Sequence, residues 1–173
     1  MDNFLEIEVE KTGSTQELAK KLSLSAKEEF SISAITQTRG YGRRGTRWVS
    51  DKGGLYLTLF LKRKMRPEYL EALSLKTAEA VKKYLESIGI NAQIKEPNDL
   101  VVLHNGIRKK ICGILIETVC NGKEYHIYAG IGLNINNKPP KICPAISVAQ
   151  LLKKEIDIKS ARRAITALVR ETL

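Results

Sequence analysis

Apolar and polar residues alternate along 4–10, where Leu5, Ile7 and Val9 are separated by Glu6, Glu8 and Glu10, the period of a strand with one buried face. A turn at Lys11-Thr12-Gly13 follows. Ser14-Thr15-Gln16-Glu17 then has the spacing of a capping box, and Leu18, Ala19 and Leu22 supply the buried stripe of a helix. Residues 30–38 predict a second strand and 54–62, GLYLTLFLK, a third. Pro67 starts a long helix whose apolar face is Leu70, Leu73, Val81, Leu85 and Ile88, ended by Gly89. Residues 90–95 alternate again, and Pro97 ends that pairing.

Between 100 and 136 the pattern predicts an antiparallel meander of three strands. Its two connections, Asn105-Gly106 and Asn121-Gly122, are read as type I′ hairpins. Gly113, Gly130 and Gly132 fall inside these strands, where glycine weakens a sheet, so something is expected to lie close against it. Pro139, Pro140 and Pro144 mark a loop, and 148–156 and 159–172 predict two closing helices.

The 173 residues, 43% hydrophobic and 28% charged, fit one globular domain, 1–173, with a sizeable core. No apolar run is long enough for a membrane-spanning helix, and Met1-Asp2-Asn3 does not open a secretory signal, so a cytoplasmic protein is expected. Cys112, Cys120 and Cys143 are odd in number and lack C-x-x-C spacing, which argues against a disulfide framework and a zinc site. A net charge of +10 suits a phosphate-rich or acidic partner. The basic clusters are dispersed, however, and no DNA- or RNA-binding signature accompanies them.

The densest chemistry is in residues 39–48, RGYGRRGTRW, with four arginines, three glycines and no acid. Glycine allows close backbone approach and arginine pairs with phosphate or carboxylate oxygens, so the segment suits a loop closing over an anion. A solvated basic loop at a sheet edge is the plainer reading. Its glycine spacing matches neither a dinucleotide-binding turn nor a P-loop. Trp48 is either the apolar anchor of the loop base or a stacking surface. Lys110, heading an apolar strand, either snorkels to water or is aimed at a ligand.

Ser14-Thr15-Gln16, Gln37-Thr38, GYGRRGTRW at 40–48, KEPNDL at 95–100, KKICGILIE at 109–117 and GIGLNIN at 130–136 occur in the order seen in the catalytic domain of biotin protein ligases, and the chain resembles that family over about three quarters of its length. The resemblance implies an α+β fold, a mixed and mainly antiparallel sheet with helices on one side, similar to class II aminoacyl-tRNA synthetases. It implies two steps: ATP and Mg²⁺ convert biotin to biotinyl-5′-AMP, and a lysine of a carboxylase's biotin carboxyl carrier domain then displaces AMP.

By the same resemblance Ser14, Thr15, Gln16 and Gln37 surround the biotin ureido and ring atoms, and Gly40, Tyr41, Gly42 and Arg43 lie on the covering loop. Lys110, with Gly113 beside it, meets the biotin carboxylate. Arg43, Arg44, Trp48, Asn98, Asp99 and Asn134 face the nucleotide, and Arg43, Lys95 and Lys110 neutralise the meeting anions. No protein-held metal is implied. Tyr41 stands where the family usually has arginine, Thr46 where it has a basic residue, and Glu96 where it has tryptophan. Glu96 could pair with Lys95. Family members continue into a small β-barrel, whereas this sequence ends at Leu173 and carries no N-terminal DNA-binding segment, so slowed transfer and no repressor role are expected. The resemblance leaves a homodimer open. Lipoate protein ligase is the rival within the fold, although its R-R-x-G-G-G loop is absent. A non-catalytic biotin- or adenylate-binding module is the rival outside it.

Overall fold

The computed structural model describes residues 4–140 and 143–173. Met1 to Asn3, from which the lack of a secretory signal is read, and two positions of the proline-marked loop lie outside it. The alternating segments form β1 (Leu5–Thr12), β2 (Phe30–Gln37), β3 (Leu55–Arg63), β4 (Gln93–Lys95), β5 (Asp99–His104), β6 (Ile107–Asn121) and β7 (Glu124–Leu133). These make one sheet in the order β1-β2-β3-β7-β6-β5-β4. Only β1 and β2 are parallel, which requires a crossover between them. That crossover is α1 (Thr15–Ser23). The sheet is therefore mixed and mainly antiparallel, as expected.

Strand β3 shows how the two layers separate. Leu57, Leu59 and Leu61 are buried with Leu73, Val81 and Leu85 of α2 (Ala72–Ser87) and with Ala161, Ile165 and Val169 of α4 (Ile158–Thr172). Phe60, on the alternate face, packs with Ala19 of α1, Phe30, Ile32 and Tyr128. Phe60 meets the Phe30 and Tyr128 rings at 5.1 and 5.4 Å between centroids. The helices thus cover both faces, α2 and α4 one and α1 the other. This corrects the one-sided expectation, because a crossover within a parallel pair must itself lie on one face of the sheet.

Other departures are local. The Pro67 segment is a 3-10 turn over Pro67–Tyr69, and regular helix begins only at Ala72. The helix expected over 148–156 stops at Leu152, where Lys153 turns left-handed at φ 54°, and is the short α3 (Val148–Leu152) with a Ser147–Gln150 capping box. At the other predicted box, Ser14 Oγ accepts from Gln16 N at 3.2 Å, while the Glu17 carboxylate faces Arg39 instead.

The two hairpins differ in kind. Asn105 and Gly106 both have positive φ, as type I′ requires, and join His104 to Ile107. In the second, Asn121 pairs with Glu124, so Gly122-Lys123 is the loop, and only Gly122 is at positive φ. That is the type II′ signature rather than I′, because Asn121 is held in the ladder. The arginine-rich segment joins β2 to β3, two interior strands, and so lies at strand ends rather than at the sheet edge expected for it.

Leu59→Ala should lower unfolding free energy by about 3 kcal/mol, the usual cost of emptying a fully buried leucine site. Urea unfolding followed by circular dichroism measures this, and a loss near zero would show that the α2–α4 layer is not seated on β3.

Candidate active site

The face of the sheet that carries α1 is interrupted beside the helix by a cavity of about 340 Å³. Its floor is polar and uncharged. Gln37 Oε1 accepts from Thr15 N at 2.7 Å and from Thr15 Oγ1 at 3.1 Å, and Gln37 Nε2 donates to Ser50 Oγ at 2.8 Å. Gln16 Nε2 donates to Tyr128 O at 3.0 Å. The Thr58 hydroxyl lies 2.9 Å from Thr15 Oγ1 and 3.1 Å from Gln16 Oε1. Ser14, Thr15, Gln16 and Thr58 are all buried, so each unpaired group would be costly, and their mutual bonds hold the rotamers before any ligand arrives.

The strand glycines explain the next layer. A Cβ on Gly132 would stand 2.5 Å from the Trp48 ring, one on Gly113 3.0 Å from it, and one on Gly130 2.7 Å from Gln16 Oε1. What lies against the sheet is therefore the Trp48 indole and the Gln16 amide. Trp48 anchors the loop base, with its backbone N–H donating to Gly40 O at 2.8 Å, while its ring lines the cavity. Its Nε1 is buried without a hydrogen-bond partner.

Lys110 reaches the cavity through an irregularity in β6. Leu100 pairs with Cys112 and Val101 with Lys110, so Ile111 is an extra residue in the ladder with β5. Ile111, Cys112 and Ile114 all join the α2–α4 core, while Gly113 and Leu115 face the cavity. In strict alternation Lys110 would share the core face with Cys112 and Ile114. The bulge turns it to the opposite face. There its ammonium lies 5.1 Å from the Trp48 ring centroid and 2.7 Å from Asp99 Oδ1. The latter is an ion contact off hydrogen-bond angle, since Oδ1 makes no hydrogen bond. The ammonium therefore keeps donors for another anion. Burial pushes the neighbouring Cys112 thiol well above its usual range, so it remains neutral.

The loop itself is short and structured. Gly42 N donates to Thr46 O at 2.8 Å across a 3-10 turn at Arg43–Gly45, and Thr46 Oγ1 donates to Arg43 O at 2.9 Å. Thr46 thus caps this turn rather than adding a charge. Arg43 and Arg47 line the cavity. Tyr41 also lines it and donates its hydroxyl to Glu117 Oε2 at 3.1 Å. Burial first, and the Glu117 charge second, push the Tyr41 hydroxyl well above its usual pKa.

Of the residues singled out above, Ser14, Thr15, Gln16, Gln37, Tyr41, Gly42, Arg43, Trp48, Asn98, Asp99, Lys110, Gly113 and Asn134 come together around this one cavity. Gly40 stands behind it, tight against Trp48 O and Ser50 Oγ, and Arg44 is exposed at φ 58°, outside the wall. Lys95 is exposed on β4 and does not line the cavity. The register Lys95–Asp99–Gly113–Gly132 nevertheless puts it on the same face, one strand outside Asp99. Lys95 and Glu96 form no ion pair with each other; both are solvated. Thr58 and Glu117 were not foreseen. Thr58 is the one aliphatic hydroxyl in the apolar run LYLTLFL, and that was its only signal.

Among the described residues no group of three or more histidine, cysteine or acidic side chains could hold a metal ion. Asp99, the acidic side chain lining the cavity, is engaged with Lys110.

These features define a class: mixed-sheet α+β domains whose ligand cavity lies between strand backbone, a helix start and a basic loop. Residues 8–134 match the biotin/lipoate A/B protein ligase family, and the chain belongs to it. It is 31% identical over 143 residues to the human biotin–protein ligase, covering 78% of this chain and 19% of that protein. It is 35% identical over 113 residues to the chloroplastic biotin–protein ligase 1 of Arabidopsis thaliana, covering 62% and 30%. The chain therefore spans a fifth to a third of the length of these relatives. Among solved structures it is similar to a biotin protein ligase from Aquifex aeolicus in complex with biotin and ATP, at TM-score 0.74 and 27% identity over 96% of this chain and 69% of that one. It is also similar to a Leishmania major biotin protein ligase in complex with biotinyl-5-AMP, at TM-score 0.72 and 26% identity over 96% and 72%.

Gly132→Ala should displace the indole. As Trp48 is the only tryptophan, its emission should shift to the red and its acrylamide quenching should rise. An unchanged spectrum would show that the ring does not rest on the strand.

Proposed function

We propose that this chain joins biotin to ATP, forming biotinyl-5′-AMP and pyrophosphate, and then transfers the biotinyl group to a lysine of a biotin carboxyl carrier domain. The observation that carries the reading is one cavity with a neutral, pre-bonded amide and hydroxyl floor beside Lys110 and Arg43. Biotin has the matching division: an uncharged ureido ring system that needs donors and acceptors, and a carboxylate that needs cations.

In the first step a biotin carboxylate oxygen forms a bond to the α-phosphorus while the bond to pyrophosphate breaks. A carboxylate needs no base to become a nucleophile, so the protein's task is positioning and charge neutralisation. In this reading Lys110 turns its free donors to the carboxylate and α-phosphate, and Arg43 screens the phosphate from the loop. Trp48, Asn98 and Asn134 face the nucleotide, while Lys95 and Arg44, outside the cavity, meet only the outer phosphates. Mg²⁺ would be held by the ATP phosphates, whose charge it would help neutralise, with no acidic cluster among the described residues to hold it. In the second step the acceptor amine attacks the acyl carbon, AMP leaves, and the amine's proton passes to solvent.

The reading sets this chemistry in the cytoplasm, with a carrier domain rather than DNA or a membrane as partner, and admits a homodimer. No helix among the described residues is long and apolar enough to cross a membrane. Beyond their mutual bonds the amides and hydroxyls of the floor keep donor and acceptor capacity that a ureido group can use and the dithiolane ring of lipoate cannot, which favours biotin over lipoate. Similarity to an archaeal lipoate protein ligase at 16% identity shows the shared fold alone.

Incubation with radiolabelled ATP and biotin, with and without a carrier domain, tests the reading. Biotin-dependent pyrophosphate release is expected, and binding of lipoate with biotin silent in calorimetry would overturn it. Lys110→Ala should cut the first step by roughly 10²–10³-fold, the scale for removing one transition-state charge partner. Arg43→Gly should release more adenylate into solution, measured as biotinylation of a bystander protein; no increase would show that the loop does not retain the intermediate.

A further inference from the structure

Tyr41 lines the cavity and is also tied outside it. Its hydroxyl donates to Glu117 Oε2 at 3.1 Å, and the other oxygen of the same carboxylate lies 2.6 Å from Lys20 Nζ. Lys20 is on α1, the helix whose first turn supplies Thr15 and Gln16 to the cavity floor. Glu117 is on β6, two pleats beyond Gly113 and on its face. Tyr41 is on the arginine loop, bridged to Arg47 across the turn. One carboxylate thus has each oxygen committed to a different wall of the cavity, and its own strand is a third.

We propose that Glu117 is a positioning residue that holds the arginine loop shut through Tyr41, with Lys20 fixing the carboxylate for that task. The observation itself concerns only the loop, and it deepens the adenylation reading by naming what keeps the loop over that site. Lys20 and Glu117 have partly exposed side chains, so as a free-standing surface pair they would add little stability. The value of the ion pair is orientation: it restricts Glu117 to the rotamer in which Oε2 meets Tyr41. Tyr41 ties the loop to the body of the protein through a rigid ring. The loop is then closed by a contact inside the chain, in addition to any anion it meets, and closure no longer waits wholly on ligand.

Loop opening can be read without ligand or activity, since Arg43, Arg44 and Arg47 are exposed and trypsin cuts after arginine only when the backbone is accessible. Tyr41→Phe removes one oxygen, and Glu117→Ala removes the anchor. Each is expected to raise the rate of first cleavage in residues 43–47, followed by mass spectrometry, about five- to tenfold, as loss of one hydrogen bond to a half-exposed charged acceptor implies. The double variant should cleave no faster than Glu117→Ala alone, because both changes break one contact. Glu117→Gln, which keeps an acceptor for Tyr41, should cleave more slowly than Glu117→Ala. Kinetically, Tyr41→Phe should raise KM for biotin more than it lowers kcat. Parental cleavage rates in both single variants, additive rates in the double variant, or equal rates for Glu117→Gln and Glu117→Ala would overturn the proposal. The proteolysis needs no substrate, so it stands apart from the adenylation assay: loss of biotin-dependent pyrophosphate with these rates intact would sink the proposed function and leave the anchor.

Discussion

An indole laid on bare strand backbone sets the rest of the site. Trp48 can approach Gly132 and Gly113 only because neither carries a side chain, and its backbone in turn holds Gly40 at the loop base. With the ring fixed there, Lys110 has a face to rest over and Ser50 has a carbonyl to bond, through which Gln37 is held in line with Thr15. Neutral floor and cationic end are thus two outcomes of one close approach between a loop and a sheet. The weakening that glycine brings to a strand is offset by ladders on both sides, since β6 and β7 are interior to the sheet.

The bulge at Ile111 is the second requirement, and it acts by parity. Period two assigns alternate residues to alternate faces, so one extra residue moves everything before it to the other side. Ile111 and Cys112 are both apolar and both buried in the same core, which is why two consecutive positions can face one way. A charged residue just before a bulge is delivered to the ligand face without the sheet having to pass it through the core.

Much of the architecture was legible because it rests on local rules. Alternation located every strand and placed the starts of β2 and β7 and the end of β4, while the other ends were a few residues off; Pro67 and Gly89 bracketed the long helix, and Asn105-Gly106 announced its own turn type. The strand glycines were readable as a close approach, though not as an approach by Trp48, since the partner is more than sixty residues away in the chain. The bulge was not legible: KKICGILIE reads equally well with or without a slip. Nor was the role of Glu117, whose partners Lys20 and Tyr41 are set by tertiary geometry and carry no pattern in sequence. The side of the sheet taken by α1 follows from the parallel β1–β2 pair, which alternation alone does not predict.

The stitching of the loop has a further consequence for how this segment can change in length. Thr38 N and Arg39 N continue the β1–β2 pairing onto Thr12 O and Gly13 O, and Gln37 N is bonded to Ser50 O, so both stems are held in register with the floor. Extra residues in 38–42 or 46–50 would slide Trp48 off its glycines. At the tip, Arg43–Gly45, a Cβ on Gly45 meets nothing, and the residues are exposed. Added length at that tip leaves both hydrogen-bonded stems in register with the floor, so it is the place in the loop where reach over the cavity can change without moving Trp48.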